Sequence, residues 1–580
     1  MTRAVYAGLL LGALVLTWQE FSRYRQVWAG VPLDESANFA AYFFSVFAWG
    51  QLLAVMAVGP ALTAGTIAQE RERRTLEYLF ASNLTNTEIV FGKFAARVLH
   101  TAWVLLAGVP VLQIASLMGG IPPEGIVVSF LIAGSTMLTV AAVSIAVSVW
   151  AASARSAITT AYLVLFAWLA MPPMMLVFFG NWSNWTAAVE LALIAPNPFI
   201  ALGEALDAPL AGRGGPSGLA ITLRLVAAQA VIAALCLAAA MWGLRRVGRN
   251  RASGGGRRRR WWWQWKRPAV GNRAMLWKEL FAERASNRLG LAGRIAAGVI
   301  VLGVVGTSLW EFMDESSFIG FVLVTTTMST LVGSGALLLA GARAATLVTS
   351  EKERDCWTTL LSTDLTGEEI IRAKILGNMY AQRGSAMLMG FLWLLAVVRS
   401  PIYLLSAAFV FAAFVVLVWF ASALGVGLSL TCRSSMRAMA ATVGLMLFVG
   451  GGYWFCCFPC LLGGGSGGDE GLIIGMAATM PFLLAFPGML HDFRSWDSEV
   501  VIACLAYGLG LVGYAITANL LSRNAVEMFD QRAGRVVYDV QSQNDRLRAL
   551  KAARTVGALE RPEDFAGVTP PPGSSRWDDD

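Results

Sequence analysis

The chain has 580 residues, of which 56% are hydrophobic and only 14% are charged, with a mean hydropathy of +0.60 and a formal net charge of +8. A soluble domain of this length does not carry so much apolar surface, so the composition excludes a soluble enzyme or binding domain. It is typical of a protein that crosses a membrane several times.

Long apolar runs divide into two sets of six. A helix needs about 20 mostly apolar residues to cross the hydrocarbon core, and only helices or closed barrels satisfy their backbone there. We therefore predict an all-α polytopic membrane protein with two parallel six-helix transmembrane repeats. The predicted spans are residues 4–18, 39–66, 98–118, 126–151, 157–179 and 219–243, then 295–310, 318–342, 384–398, 402–430, 439–462 and 500–521.

The first run could also be a secretion signal, because Arg3 precedes it. Signal peptides end in a small-residue cleavage site, whereas Gln19 and Glu20 follow Trp18. We therefore expect a retained first span.

A polar segment that follows the second run occurs twice in the chain. Residues 70–93 read ERERRTLEYLFASNLTNTEIVFGK, and residues 351–374 read EKERDCWTTLLSTDLTGEEIIRAK. We call them the first and second repeat loops; they align without a gap at an offset of 281, which indicates an internal duplication. The identical pairs are Glu70/Glu351, Glu72/Glu353, Arg73/Arg354, Leu79/Leu360, Leu84/Leu365, Thr85/Thr366, Glu88/Glu369, Ile89/Ile370 and Lys93/Lys374.

Each repeat loop contains the T-x-x-E spacing of a helix capping box, at Thr85 with Glu88 and at Thr366 with Glu369. The spacing predicts helices that begin at residues 86 and 367. Each loop is therefore a short helical hairpin between two spans. It could be a solvated turn only, but its presence in both halves favours an interaction surface.

Two proline-containing apolar stretches, residues 187–206 and 472–490, precede the last predicted span of each half. If the second one crossed the membrane, the basic tail would lie on the outer side. We predict re-entrant or interfacial helices, with extracellular loops as the alternative.

The segment between the halves is rich in Gly and Arg and includes four arginines beside four tryptophans. Such a mixture can bind nucleic acid. Between two membrane halves, basic side chains on anionic lipid and tryptophans at the headgroup level are the simpler interpretation, so we predict lipid binding and no nucleic-acid partner. The predicted lipid-interface residues are Arg257, Arg258, Arg259, Arg260, Trp261, Trp262, Trp263 and Trp265.

After this linker, residues 272–288 have the pattern of an interfacial helix. Leu276, Trp277, Leu280 and Phe281 share one helical face, while Lys278 and Glu279 are predicted on the polar side with Glu283 and Arg284. We divide the chain into a first half (1–244), the basic linker (245–272), a second half (273–535) and a partly disordered tail (536–580).

The positions of Lys and Arg predict the orientation. If both repeat loops are cytoplasmic, so are both termini and most of the 45 basic residues. The basic residues left outside are Arg23, Arg25, Arg213, Arg224, Arg399 and Arg494. The predicted location is the cell (plasma or inner) membrane.

Residues for catalysis are scarce. A phosphate-binding loop needs Gly-Lys-Ser/Thr, whereas Gly92-Lys93 is followed by Phe94. The thiols of Cys456, Cys457 and Cys460 are close in sequence but have no second cluster, so we predict neither a metal site nor catalysis. Few acids occur within the spans, which argues against a proton-coupled transporter.

The first repeat loop resembles the signature loop of ABC transporter permeases of the ABC-2 export type, which reads approximately E-x-E-x-G-T-L-E-x-L-L-x-x-P-L-x-x-x-E-I-x-x-G-K. Six spans per half, an elbow helix and a short hairpin before the last span are also similar to that family. The sequence departs from the pattern at Arg74, Asn83, Cys356, Trp357 and Ala373.

The resemblance implies a permease without its own nucleotide site, driven by an ATP-binding cassette ATPase dimer that carries ATP and Mg²⁺. The alternatives are a secondary transporter and a membrane anchor that recruits a soluble partner. The resemblance implies that the ATPase binds Glu70, Glu72, Arg73, Thr75, Leu76, Glu77, Thr85, Glu88 and Lys93, and Glu351, Glu353, Arg354, Thr366, Glu369 and Lys374. The transported substrate does not follow from these residues.

Overall fold

The structure is a computed structural model, and every regular element that it describes is helical. The tail and the lipid-interface residues 257–265 lie outside the described residues, as do the first predicted span and the cysteine cluster. The described residues are 33–72, 75–116, 123–151, 153–179, 194–207, 217–252, 274–282, 291–313, 318–353, 357, 360, 362–363, 365–452, 479–489 and 498–532.

The described helices of the first half run from the second predicted span to the start of the linker. They are α1 (Leu33–Thr63), α2 (Thr66–Glu72), α3 (Leu76–Ala81), α4 (Asn86–Leu106), α5 (Val109–Ser116), α6 (Pro123–Trp150), α7 (Ala154–Phe179), α8 (Pro198–Asp207) and α9 (Gly218–Ala252).

The second half starts with a short helix that continues as a π-helical turn, Lys278–Ala282, and it contains a second π turn, Phe448–Gly452. Its helices are α10 (Ala274–Trp277), α11 (Leu291–Met313), α12 (Phe318–Ala344), α13 (Thr349–Glu353), α14 (Gly367–Ala381), α15 (Arg383–Arg399), α16 (Tyr403–Thr431), α17 (Ser435–Leu447), α18 (Met480–Met489) and α19 (Ser498–Arg532).

Among the described residues, seven helical segments are long and apolar enough to cross a membrane, and the pair α14 and α15 is an eighth if it counts as one span bent by 42°. The prediction of an all-α polytopic membrane protein is confirmed. The seven are Phe43–Glu72, Pro123–Trp150, Gly218–Arg246, Leu291–Met313, Gly320–Glu353, Tyr403–Thr431 and Val501–Gln531.

Several helices extend beyond the apolar runs from which they were predicted. The α9 helix reaches Ala252, so the first eight residues of the predicted linker are helical. The α14 helix begins at Gly367, well before the apolar run at 384. The predicted span at 98–118 is divided between α4 and α5. Hydropathy detects only the part of a helix that is apolar, and polar ends are stabilised by other means.

The helices as far as Val526 form one compact unit in which the two halves interlock. Helix α7 of the first half packs against α11 and α12 of the second, and α1 packs against α17 in the reciprocal arrangement. The shared core contains buried Ala61 and Tyr162 from the first half and Ala345 and Met439 from the second. A second unit begins at Glu527, and the structure describes only the end of α19 within it.

Two short helices occupy matching positions before the last span of each half. Helices α8 and α18 have ten residues each, about half of what a membrane crossing requires. Helix α8 packs against α6 and α9, while α18 packs against α12 and α16. Both are too short to be spans, and their re-entrant or interfacial placement stays a prediction.

Candidate functional site

A buried serine hydroxyl holds the start of each repeat loop at the same position. The Oγ of Ser148 accepts hydrogen bonds from the N–H groups of residues 67–68 at 3.2 and 3.0 Å. The Oγ of Ser429, which is 281 residues later, accepts from those of residues 348–349 at 3.0 and 2.9 Å. Backbone N–H groups at a helix start lack partners within the helix, and each hydroxyl supplies one. The two loops therefore leave their spans in the same way.

A basic side chain next to each serine contact fixes the loop to the end of the long helix behind it. The Arg71 guanidinium donates to the carbonyl oxygens of Val149 and Ala151, both at 2.8 Å. In the second half, Lys352 Nζ donates to the carbonyl oxygen of Leu430 at 2.8 Å. Cations stabilise the carbonyl end of a helix, so these contacts connect the loops to α6 and α16.

The capping boxes are confirmed in both loops. In the first, the Thr85 N–H donates to Glu88 Oε2 at 2.7 Å, and the Glu88 N–H donates to Thr85 Oγ1 at 3.3 Å. In the second, the same two bonds join Thr366 and Glu369, both at 3.2 Å. Each helix begins one residue after its threonine, as predicted.

The exposed carboxylate of Glu88 has a pKa below its ordinary value, because it accepts hydrogen bonds from the Thr85 backbone and then from the Thr85 hydroxyl. Because the pKa is lower in the folded state, the cap stabilises the loop fully at pH values above the ordinary pKa of glutamate. This stabilisation is lost as the pH falls through the lowered pKa. We therefore expect hydrogen exchange in the peptide around Thr85, corrected for the intrinsic rate, to increase at acid pH. A Glu88→Gln variant should lack this dependence; the same pH response in both would contradict the assignment.

A lysine–glutamate pair closes each loop, but the two pairs differ in burial. Lys93 pairs with Glu70, and the side chain of Lys93 is 22% exposed. Lys374 Nζ lies 2.8 Å from Glu351 Oε1, and its side chain is only 1% exposed. The lysine of the second loop is thus a buried structural charge.

The second loop has an additional carboxylate under it. Glu279 Oε1 lies 3.6 Å from Lys374 Nζ, and the Glu279 side chain is 3% exposed. Glu279, which was predicted largely away from the apolar face of this helix, is buried because α10 and its π turn pack against α14. The placement of the helix in the membrane interface stays a prediction. A Cβ on Gly377 would lie 2.6 Å from the Glu279 Cβ, so the absence of a side chain there allows the approach. Lys278 is on the solvent side, 3.8 Å from Glu351.

The carboxylate of Glu353 connects the second loop and α2, the helix that leads into the first loop, to the start of α17. Its Oε1 accepts from Gln69 Nε2 of the first half at 2.9 Å and from the Ser435 N–H at 3.0 Å. Its Oε2 lies 2.9 Å from Ser435 Oγ. Glu353 is therefore engaged within the chain on both oxygens.

The other predicted ATPase-binding residues divide by exposure. Thr75, Thr85, Glu88, Thr366 and Glu369 are exposed, and Glu72 is half-buried. Leu76 is 3% exposed and belongs to the core beneath the loop. The side chains of Arg73, Glu77 and Arg354 lie outside the described residues.

Sequence reasoning did not select the most exposed apolar side chains of the first loop. Tyr78 is 79% exposed and Phe91 62%, and Leu84 is also exposed. The sequence does contain a signal for them: they are large apolar residues in a polar loop outside the membrane. Apolar side chains exposed in such a loop indicate an interaction surface.

The start of the predicted linker is part of the first-loop site. Arg245, in α9, donates from its guanidinium to the carbonyl oxygen of Leu84 at 3.0 Å. The side-chain amide of Asn86 donates to the carbonyl oxygen of Met241 at 3.0 Å. The first loop is thus held by the last span of its own half.

Two apolar cavities lie where the halves meet. One has a volume of about 450 Å³ and the other about 400 Å³, and both are lined by Leu53 of α1, Leu338 of α12 and Leu447 of α17. Their described walls carry no charged side chain. In the part of the chain that the structure describes, no three His, Cys, Asp or Glu side chains are grouped as a metal site.

Comparison with known families is consistent with this geometry. A family model described as ABC-2 family transporter protein matches residues 26–246, a range that includes the first repeat loop and all described helices from α1 to α8. Neither a curated protein nor a solved structure matches the chain.

Proposed function

We propose that the whole chain is the membrane permease of an ATP-driven exporter, because residues 26–246 match the family model described as ABC-2 family transporter protein. A separate ATP-binding cassette ATPase binds ATP and Mg²⁺ and docks on the two repeat loops. Its hydrolysis cycle moves the halves between inward- and outward-facing arrangements. In this proposal the second half is a fused second permease half.

The observation that carries the proposal is the matching support of the two loops. The serine contacts, the basic side chains and the capping boxes recur at the same offset of 281 residues. A loop that were only a connection between spans would not need the same rigid support twice. Two equivalent rigid loops suit a partner with two equivalent sites, such as an ATPase dimer.

We place the ATPase contact on the exposed part of the loops rather than on the paired charges. The first loop offers Tyr78, Leu84 and the exposed cap of Thr85 and Glu88. Aromatic side chains contribute large contact areas in interfaces. The ion pairs Glu70–Lys93 and Glu351–Lys374 instead stabilise the conformation of the loops by joining the start of each loop to its end.

The apolar cavities between the halves support a substrate with a large apolar part. Their walls include side chains from both halves, so relative motion of the halves changes their shape. An uncharged lining favours an apolar or amphipathic cargo over a free ion, whose dehydration would not be compensated there.

The proposed orientation puts both loops and both termini in the cytoplasm of a cell-membrane protein, where an ATPase has access to ATP. The linker arginines 257–260 and the neighbouring tryptophans then meet the anionic cytoplasmic leaflet.

The test is co-purification from native membranes with mass identification of bound proteins. We expect the parent chain to retain a P-loop ATPase and a Tyr78→Arg, Leu84→Arg double variant to lose most of it, because both side chains are exposed and their loss leaves the core intact. Met313→Arg is the control: it is 80% exposed but lies at the opposite end of α11 from the loops. Equal retention by the double variant and the control would overturn the docking surface.

If the folded parent chain retains no ATPase, the exporter proposal fails. A different soluble protein bound through the loops would then favour the membrane-anchor alternative. Transport that continues without any ATPase would favour a secondary transporter.

A further inference from the structure

Glu353 lies at a junction of three elements: α13 of the second loop, α2 of the first loop and the N-terminus of α17. It accepts from Gln69 Nε2 at 2.9 Å and from the Ser435 N–H at 3.0 Å through one oxygen, while its other oxygen contacts the Ser435 hydroxyl at 2.9 Å. One carboxylate therefore connects the second loop, and the helix that leads into the first loop, to α17.

The contact between the Glu353 carboxylate and the N-terminus of α17 is favoured by charge. Ser435 is 5% exposed and is the first residue of α17, whose N-cap Ser434 accepts from the Arg437 N–H. A carboxylate at a helix N-terminus is stabilised by the unpaired N–H groups and the helix dipole. Hydrogen bonds to a charged group are also stronger than neutral ones.

Helix α17 connects this junction to the interface between the halves. It packs against α1 of the first half, and Met446 and Leu447 at its far end, with Phe448 in the π turn that follows, line the cavities. Leu447 lines both of them. If Glu353 moved along the axis of α17, the helix would therefore move with it as a rigid body and shift the residues that line the cavities.

The residues that form this junction differ between the two halves. At the offset of 281, Ser435 corresponds to Ala154, which has no hydroxyl, and Gln69 corresponds to Ser350, whose side chain is shorter. The same set of donors is therefore not available at Glu72, the counterpart of Glu353.

We propose that Glu353 is a positioning residue: it transmits movement of the docked loops to α17 and thereby to the cavity walls, instead of binding the ATPase itself. The direction of transmission rests on the proposed function, but the mechanical connection does not. A docking residue would affect ATPase binding when replaced. A positioning residue leaves binding intact and uncouples loop and helix.

The first test uses the full chain in lipid nanodiscs without any partner. Spin labels replace the exposed residues Thr363, in the second loop, and Arg437, in α17, on a cysteine-free background. We expect one narrow distance distribution for the parent and a clearly broader one for Glu353→Ala. Glu368→Ala is the matched control, because that carboxylate is exposed on the same loop and pairs with Arg372 one turn along the same helix. An unchanged distribution in Glu353→Ala would overturn the proposal.

Two milder variants keep the test decisive if Glu353→Ala does not fold. Ser435→Ala removes the hydroxyl contact and Gln69→Leu removes the donor from the first loop. Each should broaden the distribution on its own. Combined with each other they should broaden it further, because they break separate contacts with the same carboxylate. No effect from either would count against the junction.

The second test uses the co-purified ATPase. We expect Glu353→Ala to bind the ATPase as the parent does. The rate of transport-coupled ATP hydrolysis should fall about tenfold, the size expected when hydrogen bonds to a charged group are removed. Lost binding would show that Glu353 is a docking residue. Absence of any ATPase from the parent would refute the proposed function alone, and the distance measurement would still decide the junction.

Discussion

Replacement of Lys374 by methionine should destabilise the folded chain by about 3–5 kcal/mol, the cost of breaking a buried ion pair by removing one partner. Lys374 is 1% exposed, and its ammonium lies 2.8 Å from Glu351 and 3.6 Å from Glu279. It also donates to the carbonyl oxygen of Leu347 at 3.3 Å. Methionine fills the volume but removes the cation shared by the buried Glu279 carboxylate and the partly buried Glu351 carboxylate.

The internal repeat offers a matched control at Lys93, which occupies the same position in the first loop. Lys93 pairs with Glu70, and its side chain is 22% exposed, so water can compensate for part of the loss. Lys93→Met should therefore cost only about 1 kcal/mol, near the range of exposed pairs. Thermal or denaturant unfolding in mild detergent measures both variants.

A rescue separates the charge effect from packing. Adding Glu279→Met and Glu351→Met to Lys374→Met also removes the two carboxylates that the ammonium neutralises, and such apolar replacements of buried ion networks are often neutral or stabilising. We expect the triple variant to recover most of the stability. Equal losses of stability in Lys374→Met and Lys93→Met, or no recovery of stability in the triple variant, would show that the buried ion network does not stabilise the second loop.

Replacement of Gly425 by leucine should be comparably severe, at about 3 kcal/mol, the upper part of the range for overpacking. A Cβ at Gly425 would lie 2.5 Å from the Ala344 Cβ and 2.9 Å from both the Ala345 nitrogen and the Gly341 oxygen. Two of these atoms belong to the backbone, so α12 and α16 would have to separate. Close approach of helices at small residues is how helices associate in lipid.

Gly427 is the control for Gly425, since it lies on the same helix with nothing within 4 Å of its added Cβ. Gly427→Ala should leave stability unchanged or raise it slightly, because alanine favours the helix. The measurement is again unfolding in detergent, combined with ATPase co-purification. Because Ala344 and Ala345 lie at the end of α12, within seven residues of the start of the second loop, we expect Gly425→Leu to impair docking as well. Normal stability of Gly425→Leu would contradict the observed helix approach.

The local features of this protein could be predicted from short stretches of sequence. Hydropathy over about 20 residues identified the long apolar helices, since lipid imposes its requirement on each helix separately. The capping boxes depend on residues only three apart, so the starts of α4 and α14 followed from Thr85 and Thr366. The offset of 281 is a property of the sequence alone, and it predicted that the two loops would be comparable.

The contacts that distinguish the two loops could not be predicted, because their partners are far apart in the chain. Glu279 looked like a polar surface residue until α10 packed on α14 and brought it to Lys374. Gln69 and Glu353 belong to different halves and meet where helices of the two halves, such as α1 and α17, pack together. Periodicity can say that a residue is polar, but whether its charge meets water or another charge depends on how the helices pack. The sequence alone determined which segments form helices and that they occur twice; the tertiary structure decided how the halves interlock, where the apolar cavities lie and which carboxylates are buried.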